Sequence, residues 1–213
     1  MGLSAANLRH AMNALAHSEP AFARARKTVG MPDPRIYDRG YATLLRTVIG
    51  QQVSVSSART TWQRLDTALG SASDPATLLA ASDETLRAAG LSRQKAGYAR
   101  SLARLVSTGE LDLFKLPEDN EDAIAALTRV KGIGRWSAEI YLLFSEGRPD
   151  IWPAGDLAIQ VAIGKIVGLA DRPSEKALRV LAEAWRPYRG AAAIFAWHHY
   201  TSGTRMVTTA TPL

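Results

Sequence analysis

The sequence predicts an all-α fold, and three observations predict it. Apolar residues recur at helical spacing along almost the whole chain, no stretch alternates apolar and polar residues as a half-buried strand would, and Ser- or Asp-led helix starts recur between the periodic segments. The 213 residues suffice for one large core or two small lobes sharing one. Apolar residues make up 46% of the chain, which removes disorder as a reading of its bulk.

The elements follow in order. Leu3, Leu8, Met12 and Leu15 form a loose apolar stripe in a first helix, and Pro20 to Val29 reads as a second, short one. Residues 31–40, MPDPRIYDRG, are rich in Pro, Asp and Gly and read as a loop. A long helical segment runs through Leu44, Leu45, Val48 and Ile49, pauses at Gly50–Ser54 and resumes through Trp62, Leu65 and Leu69. Ser73-Asp74-Pro75 and Ser82-Asp83-Glu84 carry cap residues before short helices, the second closing at Ala89-Gly90-Leu91. A basic helix with Arg93, Lys95, Arg100 and Arg104 spans 92–107, and another covers 119–128 after Leu116-Pro117. Helices at about 134–146, 157–168, 174–185 and 189–203 complete the fold, with an irregular GRPDIWPAG stretch at 147–155. There is no solenoid repeat and no low-complexity segment.

Composition bounds the function. Lys plus Arg exceed Asp plus Glu by 26 to 20, a net charge of +6, which suits a polyanionic partner. The chain has no cysteine, so disulfides, thiolate zinc sites, cysteine nucleophiles and Cys-ligated iron–sulfur clusters are excluded within it. No apolar run approaches a membrane span, and the N-terminal segment lacks the apolar centre of a secretory signal. The expectation is a soluble, monomeric protein of the bacterial cytosol or nucleoid with no membrane partner.

The most informative segment is LTRVKGIGRWSAEI, residues 127–140. Gly132 and Gly134 bracket Ile133 between two helical patterns, and the second helix starts just after Gly134. Glycines here allow positive φ and close approach of another backbone. The first amides of the following helix lack intrahelical acceptors and lie at its positive dipole end, an arrangement suited to a phosphate oxygen. Val130 and Ile133 anchor such a turn, and the small pair Ser137-Ala138 permits tight packing. A plain αα turn, with its glycines ending one helix and starting the next, fits the same residues.

LTRVKGIGRWSAEIYLL resembles the helix-hairpin-helix of the base-excision DNA glycosylases, the HhH-GPD superfamily. The following WPAGD resembles the loop that ends in their essential aspartate. TVIGQQVSVSSA (47–58), AGLSRQKAGYARSLA (89–103) and AEAWRPYRGAAAIFAWHH (182–199) resemble segments of the 3-methyladenine DNA glycosylase II, or AlkA, family. The likeness covers about residues 40–200, and the length matches a compact form without the extra N-terminal β domain.

The resemblance implies a two-lobed helical fold with the active-site cleft between lobes: one lobe at about 40–146, including the hairpin at 120–146, the other from 1–39 plus 147–213. It implies a monofunctional glycosylase that flips alkylated bases, of the 3-methyladenine and 7-methylguanine class, out of double-stranded DNA and hydrolyses the glycosidic bond, starting base excision repair. Asp156 is then the catalytic carboxylate, stabilising charge on the sugar; an Asp after Pro-Ala-Gly and before an apolar run is also an ordinary helix cap. Asp150 and Asp171 are its nearby rivals. Trp136 stands where lyase branches of the superfamily carry a Schiff-base lysine, so no lyase activity is expected. Trp136, Trp197, Ile140 and Trp152 are the base-pocket candidates, although core packing also suits the helical spacing of the first two. Trp62 and Trp185 read as core or helix-packing residues, and His198 and His199 lack metal-ligand partners at suitable spacing.

Gly132, Gly134, Arg135, Ser137, Gln51 and Gln52 are the expected DNA contacts. The Gln51-Gln52 pair is either the wedge that fills the vacated stack or a cap on a broken helix. The resemblance also implies a structural Na+ or K+ held by the carbonyls of Thr128, Val130 and Ile133, with no other cofactor and no iron–sulfur cluster. Two alternatives remain open from the residues: a non-catalytic DNA-binding hairpin module, and a glycosylase for oxidised or mismatched bases.

Overall fold

A computed structural model describes residues 3–205, with side-chain burial through residue 202. Among the described residues the chain is all-helical. It divides into two compact units, 38–138 and the described parts of 1–37 with 139–213.

The first unit in sequence space is the split one. It contains α1 (Ala5–Ser18), α2 (Pro20–Val29), α10 (Leu157–Val167), α11 (Glu175–Leu181) and α12 (Arg189–Arg205). Leu3, expected within the first helix, lies before its cap Ser4; it is buried at the position preceding the cap, and buried Leu8 occupies the fourth helical position, the pattern of a hydrophobic staple. Glu19 caps α2 by accepting from Ala21 N–H at 3.1 Å, and Pro20, with no N–H to satisfy, opens the helix. α10 packs on α12 and α2, and α12 on α1, around Met12, Phe22, Ile163 and Phe195.

The continuous unit contains α3 (Tyr41–Gly50), α4 (Val55–Leu69), α5 (Pro75–Ala80), α6 (Asp83–Ala88), α7 (Arg93–Ser107) and α8 (Asn120–Thr128). Ser54, Asp74, Ser82, Ser92 and Asp119 each accept a first-turn N–H with the side chain, as their place before the apolar periods predicts. α7 is the central strut of this unit: α3, α5 and α6 all pack on it, with Leu44, Leu45, Leu65 and Leu102 fully buried.

The remaining helix, α9 (Arg135–Tyr141), crosses the division between residues 138 and 139 rather than lying wholly in the hairpin unit. The regular helix expected to residue 146 also stops early. After Tyr141 the backbone widens into a π-turn, Leu142–Glu146. External partners hold it open: Phe144 O accepts the Tyr37 N–H at 3.0 Å, and Leu142 O accepts the Arg148 N–H at 3.0 Å. The expected helix at 174–185 likewise ends at Leu181 and tightens into a 3-10 turn, Ala182–Trp185.

Candidate functional site

In the continuous unit the hairpin is built from α8, a turn at 129–134 and the start of α9. Val130 and Ile133 are buried and pin the turn. Ile133 N–H donates to Val130 O at 3.0 Å, while the amides of Gly132 and Gly134 make no hydrogen bond among the described residues. The two glycines differ in kind. Gly132 sits at φ +84°, and a β-carbon there would penetrate the ring of Tyr98 on α7. Gly134 has ordinary backbone geometry, and a β-carbon there would meet nothing within 4 Å. The first glycine is therefore required by the fold, whereas the second leaves room at the exposed start of α9.

Three contacts seat this turn. Tyr98 lies against Gly132, Ser101 Oγ accepts the Lys131 N–H at 3.1 Å, and Gln51 Nε2 donates to Gly132 O at 2.8 Å. Gln51 is the C-cap residue of α3, so its amide ties the α3–α4 loop to the hairpin. Lys95 supports the same place, its ammonium donating to Ile49 O at 2.7 Å; desolvation lowers its pKa from the usual lysine value. Gln52 is exposed at φ +56°, an uncommon backbone region for a residue with a β-carbon. The Gln pair thus splits into a bridge, Gln51, and a presented side chain, Gln52, flanked by exposed Val53 and Val55.

The other hairpin candidates fall out as follows. Trp136 is 48% exposed, which removes the core-packing alternative. Arg135 forms a bidentate pair with Glu121 at 2.6 and 2.7 Å, so a phosphate would compete with a partner already in place. Ser137 and Ala138 are buried, consistent with close helix packing rather than an exposed Ser137 hydroxyl.

The split unit holds the carboxylate. Asp156 is the N-cap of α10: its Oδ1 accepts the Ile159 N–H at 3.0 Å, and the side chain is half-buried. Its rivals are otherwise placed. Asp150 is clamped by Arg186 and Arg189, the latter at 2.8 Å through two nitrogens. Asp171 follows the opposite end of α10, where its carbonyl packs back beside Gly164, about 12 Å along the helix from Asp156.

Trp152 is not available as a pocket wall. It is 3% exposed, donates its indole N–H to Leu178 O at 3.3 Å and packs edge-to-face on Trp185 at 5.4 Å, so its ring belongs to the core. Ile140 is half-buried on α9. Trp197 is half-buried on α12 and borders a cavity of about 230 Å³ with Ile194, Phe144, His198, Asp33 and Arg35. Phe144 stacks tilted on Trp197 at 5.6 Å and touches Tyr37 at 5.5 Å. Sequence reasoning missed Phe144 and Tyr37, because the π-turn that places Phe144 leaves no periodicity signal. His198, without metal-ligand partners in the sequence, borders the cavity and bonds Val29 O through Nε2 at 2.8 Å. His199 has its pKa lowered, first by burial and then by Lys165 and His198.

Residues 45–187 match the HhH-GPD superfamily of base excision DNA repair proteins, and the chain belongs to that family. A Schizosaccharomyces pombe relative, DNA-3-methyladenine glycosylase 1, is 32% identical over 74% of this chain and 71% of its own length. The chain spans only 58% of a Bacillus subtilis protein provisionally named as a DNA-3-methyladenine glycosylase, with 30% identity over 74% of this chain. The crystal structure of a DNA-3-methyladenine glycosidase from Bacillus halodurans superposes with TM-score 0.80 at 28% identity, covering 90% of this chain and 89% of that one. The S. pombe 3-methyladenine DNA glycosylase in complex with abasic DNA superposes with TM-score 0.73 at 28% identity, covering 95% and 100% of the two chains.

Proposed function

We propose that this protein is a monofunctional DNA glycosylase that releases alkylated purines, of the 3-methyladenine and 7-methylguanine class, from double-stranded DNA. The observation that carries the reading is Asp156: a half-buried carboxylate fixed at the mouth of α10, in the WPAGD loop that resembles the family's aspartate loop, with Asp150 clamped by arginines. The relatives' names give the substrate class its support.

The chemistry asked of the protein is modest. Alkylation at N3 or N7 puts positive charge on the purine, so heterolysis of the C1′–N bond sends the electron pair into the ring and the base leaves neutral. Charge then grows on the sugar, where the Asp156 carboxylate stabilises it; water adds to C1′ and its proton goes to solvent. Exposed Trp136 and half-buried Trp197 offer indole faces, which favour a cationic ring by about 0.5–2 kcal/mol. The hairpin amides of Gly132 and Gly134 receive backbone phosphate, and exposed Gln52 fills the vacated stack. The all-carbonyl donor set of Thr128, Val130 and Ile133 suits a hard monovalent cation that would brace the turn; no other cofactor is invoked. The enzyme acts as a monomer in the cytosol. No helix among the described residues is long and apolar enough to cross a membrane.

The test is incubation with duplexes carrying methylated purines, 8-oxoguanine or thymine glycol, followed by identification of the released bases. Release of 3-methyladenine and 7-methylguanine is expected, with Trp136→Ala costing more on these than on neutral hypoxanthine. The strand should remain intact at the abasic site, and borohydride should trap no protein–DNA adduct. Removal of oxidised bases alone overturns the substrate assignment, and release of nothing leaves a DNA-binding module.

A further inference from the structure

α7 borders two features. Tyr98 and Ser101 look to the hairpin turn, as described above. Arg93, Gly97 and Arg100, at i, i+4 and i+7 on a neighbouring stripe of the helix, line a cavity of about 290 Å³ together with Asp83 and Arg87 of α6 and with Leu91. The proposed mechanism uses none of these residues.

Three guanidinium groups face this cavity against one lining carboxylate. That carboxylate is already engaged: Arg100 bonds Asp83 Oδ1 at 2.9 Å and also Ala81 O at 2.8 Å, so Arg100 is fixed as a brace at the end of α5. Arg87 and Arg93 are exposed and form no hydrogen bond or ion pair among the described residues. Glu84, one turn before Arg87, is fully exposed; hydrogen bonds within its own turn hold its carboxyl low, and the Arg87 charge adds least.

Gly97 is the second observation. It lies inside a fifteen-residue helix, where glycine is the least favourable residue after proline. Its helical backbone does not need glycine, and a β-carbon there would meet nothing within 4 Å. No neighbour in the fold requires the missing side chain. What the glycine does is leave α7 bare at the wall of an arginine-lined cavity.

We infer that this cavity is an accessory phosphate site that takes a backbone phosphodiester of the bound DNA strand, with Arg87 and Arg93 closing on the oxygens over the bare backbone of Gly97. Guanidinium forks match phosphate oxygens bidentately, and two that form no hydrogen bond or ion pair among the described residues break none on binding. The site rests on the glycosylase reading for its polyanion. It shares one helix with the hairpin, α7, whose Tyr98 and Ser101 seat the turn.

The experiment compares wild type, Arg87→Gln/Arg93→Gln and Gly97→Ala for binding to an undamaged duplex by fluorescence anisotropy across a salt series, alongside Tm and a 31P NMR titration with inorganic phosphate. One lost phosphate contact lowers the slope of log K against log salt by about 0.9, which is about 8-fold in affinity at 0.1 M relative to 1 M salt. The double variant should show that loss. Gly97→Ala should raise Tm, as a helix-interior alanine does, and yet weaken DNA binding; a merely structural glycine would not separate these signs. Salt slopes unchanged in both variants overturn the inference, and if inorganic phosphate still perturbs the cavity the site belongs to a free phosphate instead. Wild type that excises methylated purines but ignores the substitutions overturns the cavity and leaves the glycosylase reading standing. Wild type that excises nothing while its salt slope responds supports the cavity and overturns the glycosylase reading.

Discussion

Gly132→Ala is the substitution that most directly probes how the hairpin is held. Two penalties add at this position. A residue with a β-carbon at φ +84° costs about 1–2 kcal/mol relative to glycine. The new methyl would also sit within 2.5 Å of Tyr98 Cε2 and nearer still to Cδ2 and Cγ. Relieving that overlap means moving a ring held by its neighbours, with Gln94 Nε2 bonded to its hydroxyl, an overpacking cost of about 1–3 kcal/mol. The sum, about 2–5 kcal/mol, is a large part of an ordinary protein's total stability. Urea denaturation of Gly132→Ala, Tyr98→Ala and the double variant separates the parts. Removing the ring abolishes the overlap but not the backbone strain, so the double variant should be more stable than additivity predicts by about 1–3 kcal/mol. Gly134→Ala serves as the control, since a β-carbon there meets nothing. Strict additivity, or a Gly132→Ala protein as stable as wild type, would refute the claim that the turn is seated on Tyr98.

Three further outcomes follow from the geometry. Asp156→Asn should cut base release by at least about 100-fold while leaving Tm nearly unchanged, because asparagine caps a helix as well as aspartate does; single-turnover excision and thermal melts read the two effects, and retained excision would reduce Asp156 to a cap. Gly134→Asp should fold normally, having open space, but bind every DNA sequence more weakly, as anisotropy with unrelated duplexes will show; unchanged affinity would remove the phosphate from the hairpin. His199 has a folded-state pKa below its unfolded value, so the unfolded chain takes up its proton first as pH falls: the stability contribution is present above about pH 6.5 and is lost as pH drops through the folded pKa. Urea midpoints between pH 7.5 and 5 should therefore fall less steeply in His199→Gln than in wild type, and parallel curves would disprove the linkage.

The sequence by itself determined the helical order, most helix starts, the hairpin, and the position of Asp156. These are local properties: a cap serine and its N–H acceptor lie within three residues, and apolar periodicity acts over a turn or two. Only the tertiary structure decided which member of each ambiguous set does what. Trp152 and Trp136 are both base-pocket candidates by sequence, yet one is enclosed by Leu178 and Trp185 and the other stands exposed. Gln51 and Gln52 are adjacent and chemically identical, but Gln51 reaches a carbonyl 81 residues away while Gln52 is turned outward at positive φ. Asp150, a rival to Asp156 by sequence proximity, is held by Arg189, 39 residues on. Phe144 reaches Trp197 from a π-turn whose open carbonyl is taken by a backbone amide more than a hundred residues earlier. In each case the deciding partner is remote in sequence, and periodicity records which way a side chain faces along its own helix, not what waits there to meet it.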